Sequence, residues 1–267
     1  MTQAPADLHF ELHGPASLPV LVLSHSIGLS TVMWDPAMPR LTERFRVLRY
    51  DHRAHGASPA PPGPYEIADF GRDLVRLLDR LGLERVSFCG LSLGGMVGQW
   101  LSAHAPGRVD RLILCCTAPR MLKPEDFTAR AAAVRAGGMP PIVDQAIGRW
   151  FSADFIAGRP DAIAPLRSAL LSVNVEGYAA TCDAIAAMDQ RDGLPRIKAP
   201  TLVLAGSADV VTPPEQARAM AEQIQAAELV ILEGAPHIAC VEQPEPFADQ
   251  VLRFLASPTT DGFRGET

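Results

Sequence analysis

Short apolar segments rich in β-branched residues alternate along this chain with segments of helical periodicity. Apolar runs of this length are typical of strands that are buried on both faces of a sheet. They lie at residues 20–24, 46–50, 86–89, 112–116, 201–205 and 229–232. Helical periodicity is clearest at 66–81, where apolar side chains recur every three or four residues up to a stop at Gly82. The alternation predicts the α/β class, with a mostly parallel central sheet and helices on both faces.

Two parts of the chain depart from this alternation. Residues 8–13 alternate between apolar and polar, which predicts an antiparallel edge strand. Residues 119–195, called the cap below, contain no convincing strand, only Ala-rich helical pieces separated by Gly and Pro. We expect the cap to lie over the carboxyl edge of the sheet, where the parallel strands end. The α/β core is then formed by 1–118 and 196–256, and 257–267 are expected to form a flexible tail.

The composition excludes several classes of function. The 267 residues are 48% hydrophobic and 20% charged, which is typical of a globular chain rather than a disordered one. A net charge of −6 argues against a general nucleic-acid or anionic-membrane surface. No apolar run reaches the roughly 18 residues that a transmembrane helix needs, and the first residues lack the features of a secretory signal. We therefore expect a cytoplasmic protein whose five cysteines are buried thiols.

The strongest local signal is Gly-Leu-Ser-Leu-Gly-Gly at residues 90–95, between a predicted strand and a helix predicted to start near Met96. In such a turn, small flanking residues allow a sharp bend that exposes the serine hydroxyl. The amide of Leu93 then lies at a helix N-terminus, where the helix dipole favours a negative charge. This context predicts Ser92 as a nucleophile and Leu93 as an oxyanion donor. A glycine-rich turn with an incidental serine is the alternative.

A serine nucleophile needs a neighbouring base. His104 lies twelve residues further along the same predicted helix, roughly 18 Å away at the rise of an α-helix, and cannot reach. His237 follows the last predicted strand, and Asp209 follows the strand at 201–205. We therefore predict His237 as the base and Asp209 as the acid that orients it. A surface-loop histidine and a solvated or helix-capping aspartate are the alternatives.

The loop after the first parallel strand is expected to supply the second oxyanion donor, the amide of Ile27. The neighbouring His25 is interpreted as a structural hydrogen-bonding residue. His52 and His55 are close in sequence, but no cysteine or carboxylate cluster accompanies them, so no metal site is predicted.

These motifs occur in the order typical of the α/β-hydrolase fold. They are His-x-x-Gly at 25–28, Asp-x-Arg-x-His-Gly-x-Ser at 51–58, the serine motif, Gly-x-x-Asp at 206–209 and Pro-His-x-x-x-x-Glu-x-Pro at 236–244. Within that superfamily the chain most resembles the 3-oxoadipate enol-lactonases of bacterial aromatic catabolism, over roughly residues 8–254. The stretches 21–28, 46–65, 86–100 and 131–151 carry this narrower resemblance. Ala54 and Ser26 stand where glycine is usual, and neither departure removes a catalytic group.

The resemblance implies hydrolysis of 3-oxoadipate enol-lactone to 3-oxoadipate through an acyl-enzyme, without a metal or other cofactor. The implied partner is a small carboxylated lactone, and neither nucleic acid nor membrane. The cap is expected to roof the pocket. The candidate substrate contacts are Ser26, Trp150, Arg135 and Arg149, and Arg130 adds to the positive charge near Trp150. The chain is expected to be a monomer or a small homo-oligomer.

Three other functions stay open from the sequence. A general carboxylesterase or perhydrolase would use the same residues. A carbon–carbon hydrolase of ring-fission dienones would differ in its substrate. A ligand-binding protein that keeps the fold without catalysis is the non-enzymatic alternative.

Overall fold

The computed structural model describes residues 5–225 and 227–257. Its strands are β1 (Phe10–His13), β2 (Val20–Ser24), β3 (Arg46–Tyr50), β4 (Val86–Leu91), β5 (Val109–Cys115), β6 (Thr201–Gly206) and β7 (Ala227–Leu232). They form a seven-stranded sheet in the order β1-β3-β2-β4-β5-β6-β7. β1 is antiparallel to β3, and the other neighbouring pairs are parallel. The predicted α/β class, the mostly parallel sheet and the antiparallel edge strand are confirmed.

Helices connect the strands and form layers on the faces of the sheet. Their bounds are α1 (Met38–Leu41), α2 (Ile67–Arg80), α3 (Leu93–His104), α4 (Pro124–Gly137), α5 (Pro140–Trp150), α6 (Ala153–Gly158), α7 (Pro160–Ser172), α8 (Val175–Ala187), α9 (Pro214–Ala221), α10 (Ala239–Glu242) and α11 (Pro244–Ala256). Short 3-10 turns occur at Thr31–Trp34, Pro106–Arg108 and Arg191–Arg196. α3 packs on β4 and β5 and on α2, while α9 packs on β6 and β7. The stripe predicted at 66–81 corresponds to α2.

The central strands form the middle of the apolar core. Every residue of β4 and β6 is buried, because packed helices cover these strands and exclude water. The five cysteines are buried free thiols, as expected. None of the helices in the described part of the chain combines the length and apolar character that a membrane crossing needs.

The cap, which the structure describes throughout, contains α4–α8 and no strand. Its helices α4 and α8 pack against each other along their length. From residue 258 onwards, the segment expected to form a flexible tail lies outside the described residues. The predicted start of the helix after the serine is wrong: α3 begins at Leu93, directly after Ser92, and not near Met96. The turn that carries the serine is therefore a single residue long.

Candidate active site

Ser92 occupies the one-residue turn between β4 and α3 in a strained conformation. Its φ of 55° and ψ of −114° lie outside the regions that side-chain-bearing residues favour. The turn is held on two sides, because Ser92 N–H donates to the Cys115 carbonyl at 3.0 Å and Thr117 Oγ1 donates to the Ser92 carbonyl at 2.8 Å. The Ser92 residue is 5% exposed. Strain maintained by surrounding contacts is typical of a functional position.

The start of α3 lies directly against residues 25–29, called the oxyanion loop below. A Cβ on Gly94 would lie 2.0 Å from the Ser24 carbonyl oxygen, so only glycine allows this approach. The approach lets Gly94 N–H donate to the His25 carbonyl at 3.1 Å. Among the described residues, neither Ile27 N–H nor Leu93 N–H has a hydrogen-bond acceptor. Both predicted oxyanion donors are thus available at adjoining backbone segments.

His25 fixes the shape of the oxyanion loop. Its Nε2 accepts the His52 N–H at 3.0 Å, so its proton is on Nδ1, which donates to the Ser26 carbonyl at 2.7 Å. The turn is closed by Leu29 N–H, which donates to the same carbonyl at 3.3 Å. Burial lowers the pKa of His25 to about 4, so this ring stays neutral near pH 7. The structure agrees with the structural role expected for His25.

Asp209 and His237 come together from the loops that follow β6 and β7. His237 Nδ1 lies 2.8 Å from Asp209 Oδ2, and the side chains are 1% and almost 0% exposed. Asp209 Oδ2 also accepts Thr212 Oγ1–H at 2.8 Å, while Oδ1 accepts the amides of Val211 and Thr212 at 2.7 and 3.0 Å. Burial raises the pKa of Asp209, but His237 and these hydrogen bonds outweigh burial and lower it below its usual value. The carboxylate therefore stays ionised and holds the His237 ring in one orientation.

Cys116 links the serine turn to the acid. It follows Cys115, whose carbonyl accepts Ser92 N–H. Burial raises the pKa of the Cys116 thiol, and the negative charge of nearby Asp209 raises it further. Ser92, Asp209 and His237 thus all lie at the carboxyl edge of the sheet. A hydroxyl, an imidazole and an ionised carboxylate at one edge, with free backbone amides nearby, can perform nucleophilic acyl transfer.

The cap closes over this edge and contacts both loops. A Cβ on Gly28 would lie 2.6 Å from Leu170 Cδ1, 3.1 Å from Tyr178 Cε2 and 3.5 Å from Trp150 Cη2, which shows how closely these side chains cover the oxyanion loop. The Trp150 carbonyl accepts the Ile238 N–H at 3.2 Å, next to His237. The structure therefore places Trp150, one of the predicted contacts, between the oxyanion loop and the histidine loop.

A second connection joins the end of α5 to the segment after His237. The Glu242 carboxylate accepts the Ser152 N–H at 3.0 Å and the Ser152 hydroxyl at 2.5 Å. Glu242 is the glutamate of the Pro-His-x-x-x-x-Glu-x-Pro motif. Its place in that motif is thus explained by a contact with the cap and not by chemistry at the substrate.

The other predicted substrate contacts have different surroundings. Ser26 is buried, and its hydroxyl has no hydrogen-bond partner among the described residues. Arg149 is half-buried and lines a cleft between α4 and α5. The surroundings of Arg135 argue against its predicted role as a substrate contact. Its guanidinium is partly in water and pairs with Glu176 at 2.8 Å and Asp183 at 2.9 Å, so two carboxylates already neutralise it.

Sequence reasoning missed three residues that touch this site. Thr212 could have been predicted from the sequence. An aspartate often forms a turn in which its side chain accepts hydrogen bonds from the backbone amides two and three residues later, and Thr212 is three residues after Asp209. Leu170 and Tyr178 carried no such signal, because only the packing of the cap brings them over Gly28. His104 lies exposed at the far end of α3, stacked on Trp100, in agreement with its exclusion as the base.

Comparison with known proteins agrees with this geometry. Residues 19–244 match the family model described as the alpha/beta hydrolase fold. The chain belongs to the α/β-hydrolase family. 3-Oxoadipate enol-lactonase 2 from Acinetobacter baylyi is 39% identical to this α/β hydrolase over 247 residues, which are 92% of each chain.

Two solved structures extend the likeness to three dimensions. The enol-lactonase from Burkholderia xenovorans LB400 matches with a TM-score of 0.91 and 40% identity, covering 94% of this chain and 96% of that one. A thermophilic esterase from Thermogutta terrifontis matches with a TM-score of 0.86 and 34% identity, covering 93% and 92%. The resemblance to enol-lactonases is confirmed, and this α/β hydrolase is a hydrolytic enzyme.

Proposed function

We propose that this α/β hydrolase converts 3-oxoadipate enol-lactone to 3-oxoadipate, with Ser92, His237 and Asp209 as its catalytic triad. The observation that carries the proposal is the 2.8 Å contact between His237 Nδ1 and Asp209 Oδ2. It occurs at the sheet edge that also carries the strained Ser92, in a chain 39% identical to a 3-oxoadipate enol-lactonase. The proposed setting is the cytoplasmic breakdown of aromatic compounds through the β-ketoadipate pathway.

Acylation begins when Ser92 Oγ attacks the lactone carbonyl and His237 Nε2 takes the hydroxyl proton. The new C–O bond moves an electron pair onto the carbonyl oxygen, and the amides of Ile27 and Leu93 donate hydrogen bonds to this oxyanion. Donors that are already oriented stabilise the developing charge without reorganisation. Asp209 keeps the His237 ring in the orientation that points Nε2 away from the carboxylate and stabilises the imidazolium.

Collapse of the tetrahedral intermediate breaks the bond to the ring oxygen and expels an enolate. An enolate leaves more readily than an alkoxide because its charge is delocalised. His237 returns the proton to this group, and the resulting enol tautomerises to the ketone. Water then attacks the acyl-enzyme, His237 takes its proton and passes it to Ser92 Oγ, and the product carboxylate leaves. The triad and two amides suffice for these steps, so the proposed reaction uses no metal or other cofactor.

The test compares kcat/KM for 3-oxoadipate enol-lactone, a saturated lactone and a simple aryl ester, with Ser92→Ala as the inactive control. We expect the enol-lactone to be the best substrate because of its leaving group. Higher kcat/KM for the aryl ester than for both lactones would favour a general carboxylesterase, and the Thermogutta relative is named an esterase. Turnover of a ring-fission dienone in preference to all three would favour the carbon–carbon hydrolase.

A further inference from the structure

A buried hydroxyl lies over the oxyanion loop. Tyr178, on α8, is 0% exposed, and its hydroxyl lies beside Arg130 and Cys182 but makes no hydrogen bond of ordinary geometry among the described residues. Its ring edge covers Gly28, because Tyr178 Cε2 would be 3.1 Å from a Cβ at that position. Burial raises the pKa of this hydroxyl, so it keeps its proton and can donate. Buried polar groups are nearly always hydrogen-bonded, so one without an ordinary hydrogen bond next to a candidate active site points to a ligand group.

Arg130 lies beside this hydroxyl and supplies a positive charge there. It projects from α4, which packs against α8, and its guanidinium carbon is 5.0 Å from the Phe127 ring centroid. Its positive charge opposes the rise in the pKa of both the Tyr178 hydroxyl and the Cys182 thiol, which places it near both. Among the described residues, no carboxylate lies within ion-pair distance of Arg130.

Some arginines of the cap are paired with carboxylates, whereas Arg120, Arg130 and Arg149 have no ion pair among the described residues. Arg135, Arg159, Arg167 and Arg191 each pair with a carboxylate at the cap surface. Arg130 and Arg149 instead line a common cleft of about 300 Å³ between α4 and α5, together with Asp126 and Gln145. Asp126 is exposed, so water screens its negative charge. Arg130 thus connects a positively charged cleft at the cap surface with the hydroxyl inside the cap.

We propose that Tyr178 and Arg130 form the subsite for the carboxylate of the substrate, a subsite that rests on the proposed enol-lactone hydrolysis. One carboxylate oxygen accepts a hydrogen bond from the Tyr178 hydroxyl, and the other accepts from the Arg130 guanidinium. Hydrogen bonds of this kind, with a charged donor or acceptor, are short and strong. Because the Tyr178 ring covers Gly28, a carboxymethyl group held here places the attached lactone ring near the oxyanion loop. The cap then selects small lactones that carry an anionic arm.

The first experiment measures kcat and KM of Tyr178→Phe and Arg130→Gln with the carboxymethyl enol-lactone and with its uncharged methyl ester. Arg135→Gln is the matched control, because it removes a cap arginine that already has carboxylate partners. We expect each test variant to lose about 10- to 100-fold in kcat/KM for the charged lactone, mostly through KM. The methyl ester should change by less than about twofold, and Arg130→Lys should regain part of the loss. Equal losses on both substrates, or no loss on either, would overturn the subsite.

A second experiment does not depend on turnover. Calorimetry measures the binding of adipate, a small dicarboxylate, to the same folded variants. Weaker binding of adipate in Tyr178→Phe and Arg130→Gln, with unchanged binding in Arg135→Gln, supports the subsite. This holds even if the wild type hydrolyses no lactone, because that result contradicts only the proposed function. Binding that is the same in every variant contradicts the subsite, even if the enol-lactone proves to be the substrate.

Discussion

Lowering the pH from about 6 to about 5 should remove 3–4 kcal/mol from the free energy of unfolding of this protein. Three buried histidines cause the effect: His25, His52 and His55 lie with ring centroids 4.4 to 6.3 Å apart and are almost fully shielded from water. Burial lowers the pKa of His25 to about 4 and that of His55 to about 3, and it lowers that of His52 well below its usual value. Repulsion between charged rings lowers the pKa of His52 and His55 further, so a second proton in the cluster is disfavoured more strongly than the first.

The sign follows from which state takes up protons first. Unfolded histidines bind protons as the pH falls through about 6.5, while the folded rings stay neutral until about pH 4 or lower. In that window the unfolded state gains stability with each proton, about 1.4 kcal/mol per histidine and pH unit. Three histidines that are almost fully protonated in the unfolded chain therefore give about 3–4 kcal/mol between pH 6 and pH 5. This is a large part of the stability of an ordinary domain, about 5–15 kcal/mol.

Urea unfolding at pH 7.5, 6 and 5 measures this loss. His55→Asn keeps a donor for the Arg53 carbonyl, which His55 Nδ1 contacts at 2.9 Å, but it cannot take up a proton. We expect this variant to lose stability between pH 6 and 5 about one third less steeply than the wild type. The control is His104→Asn, which removes an exposed histidine outside the buried cluster. A loss below about 1 kcal/mol in the wild type, or an unchanged slope in His55→Asn, would refute the reasoning.

The remaining predictions concern the catalytic edge. Ser92→Ala and His237→Ala should each abolish most turnover of a folded protein. The double variant should be little worse than either single variant, because a triad acts as a unit. Additive losses in kcat would show that the two residues act separately. Asp209→Asn should lower kcat on the order of 10⁴-fold, because the amide favours the wrong imidazole tautomer; a mild effect would point to another acid. Gly94→Ala should cost about 3 kcal/mol or more in unfolding free energy and most of the activity, since its Cβ would lie 2.0 Å from the Ser24 oxygen; a fully active, stable variant would contradict this close approach.

The sequence predicts two of the parallel strands to the residue and the bounds of the others less well. β2 and β3 match the predicted 20–24 and 46–50, because continuous apolar runs between turn residues leave little choice of boundary. β5 begins at Val109, three residues before the predicted start. The prediction missed these residues because the charged Asp110 and Arg111 interrupt the apolar pattern. Arg111 is nevertheless buried, since its guanidinium donates to the Phe254 carbonyl at 3.1 Å and lies over the Phe254 ring. That partner is distant in sequence, so no local pattern reveals the contact.

The residues of the candidate site also fall into a group that the sequence predicts and a group that it does not. Asp209 and His237 could be predicted together because loops that follow parallel strands meet at one edge of the sheet. Nothing similar fixes the cap, whose helices are positioned by side-chain packing alone. Sequence reasoning therefore noticed the arginines of the cap but not which of them are neutralised by carboxylates. Arg135 is paired, whereas Arg130 is not, and only the arrangement of α4 and α8 decides this.

The two contacts between the end of α5 and the loop of His237 have a consequence for how new specificities can evolve in this enzyme. The Trp150 carbonyl holds the Ile238 amide, and Glu242 holds Ser152. A cap transplanted whole from a distant homologue would lose these partners and leave His237, the proposed general base, misaligned, unless Glu242 were replaced at the same time. Single substitutions along α4 and α8 leave both of these contacts unchanged. Divergence of substrate preference should therefore accumulate gradually in those two helices, and libraries for directed evolution are best confined to them.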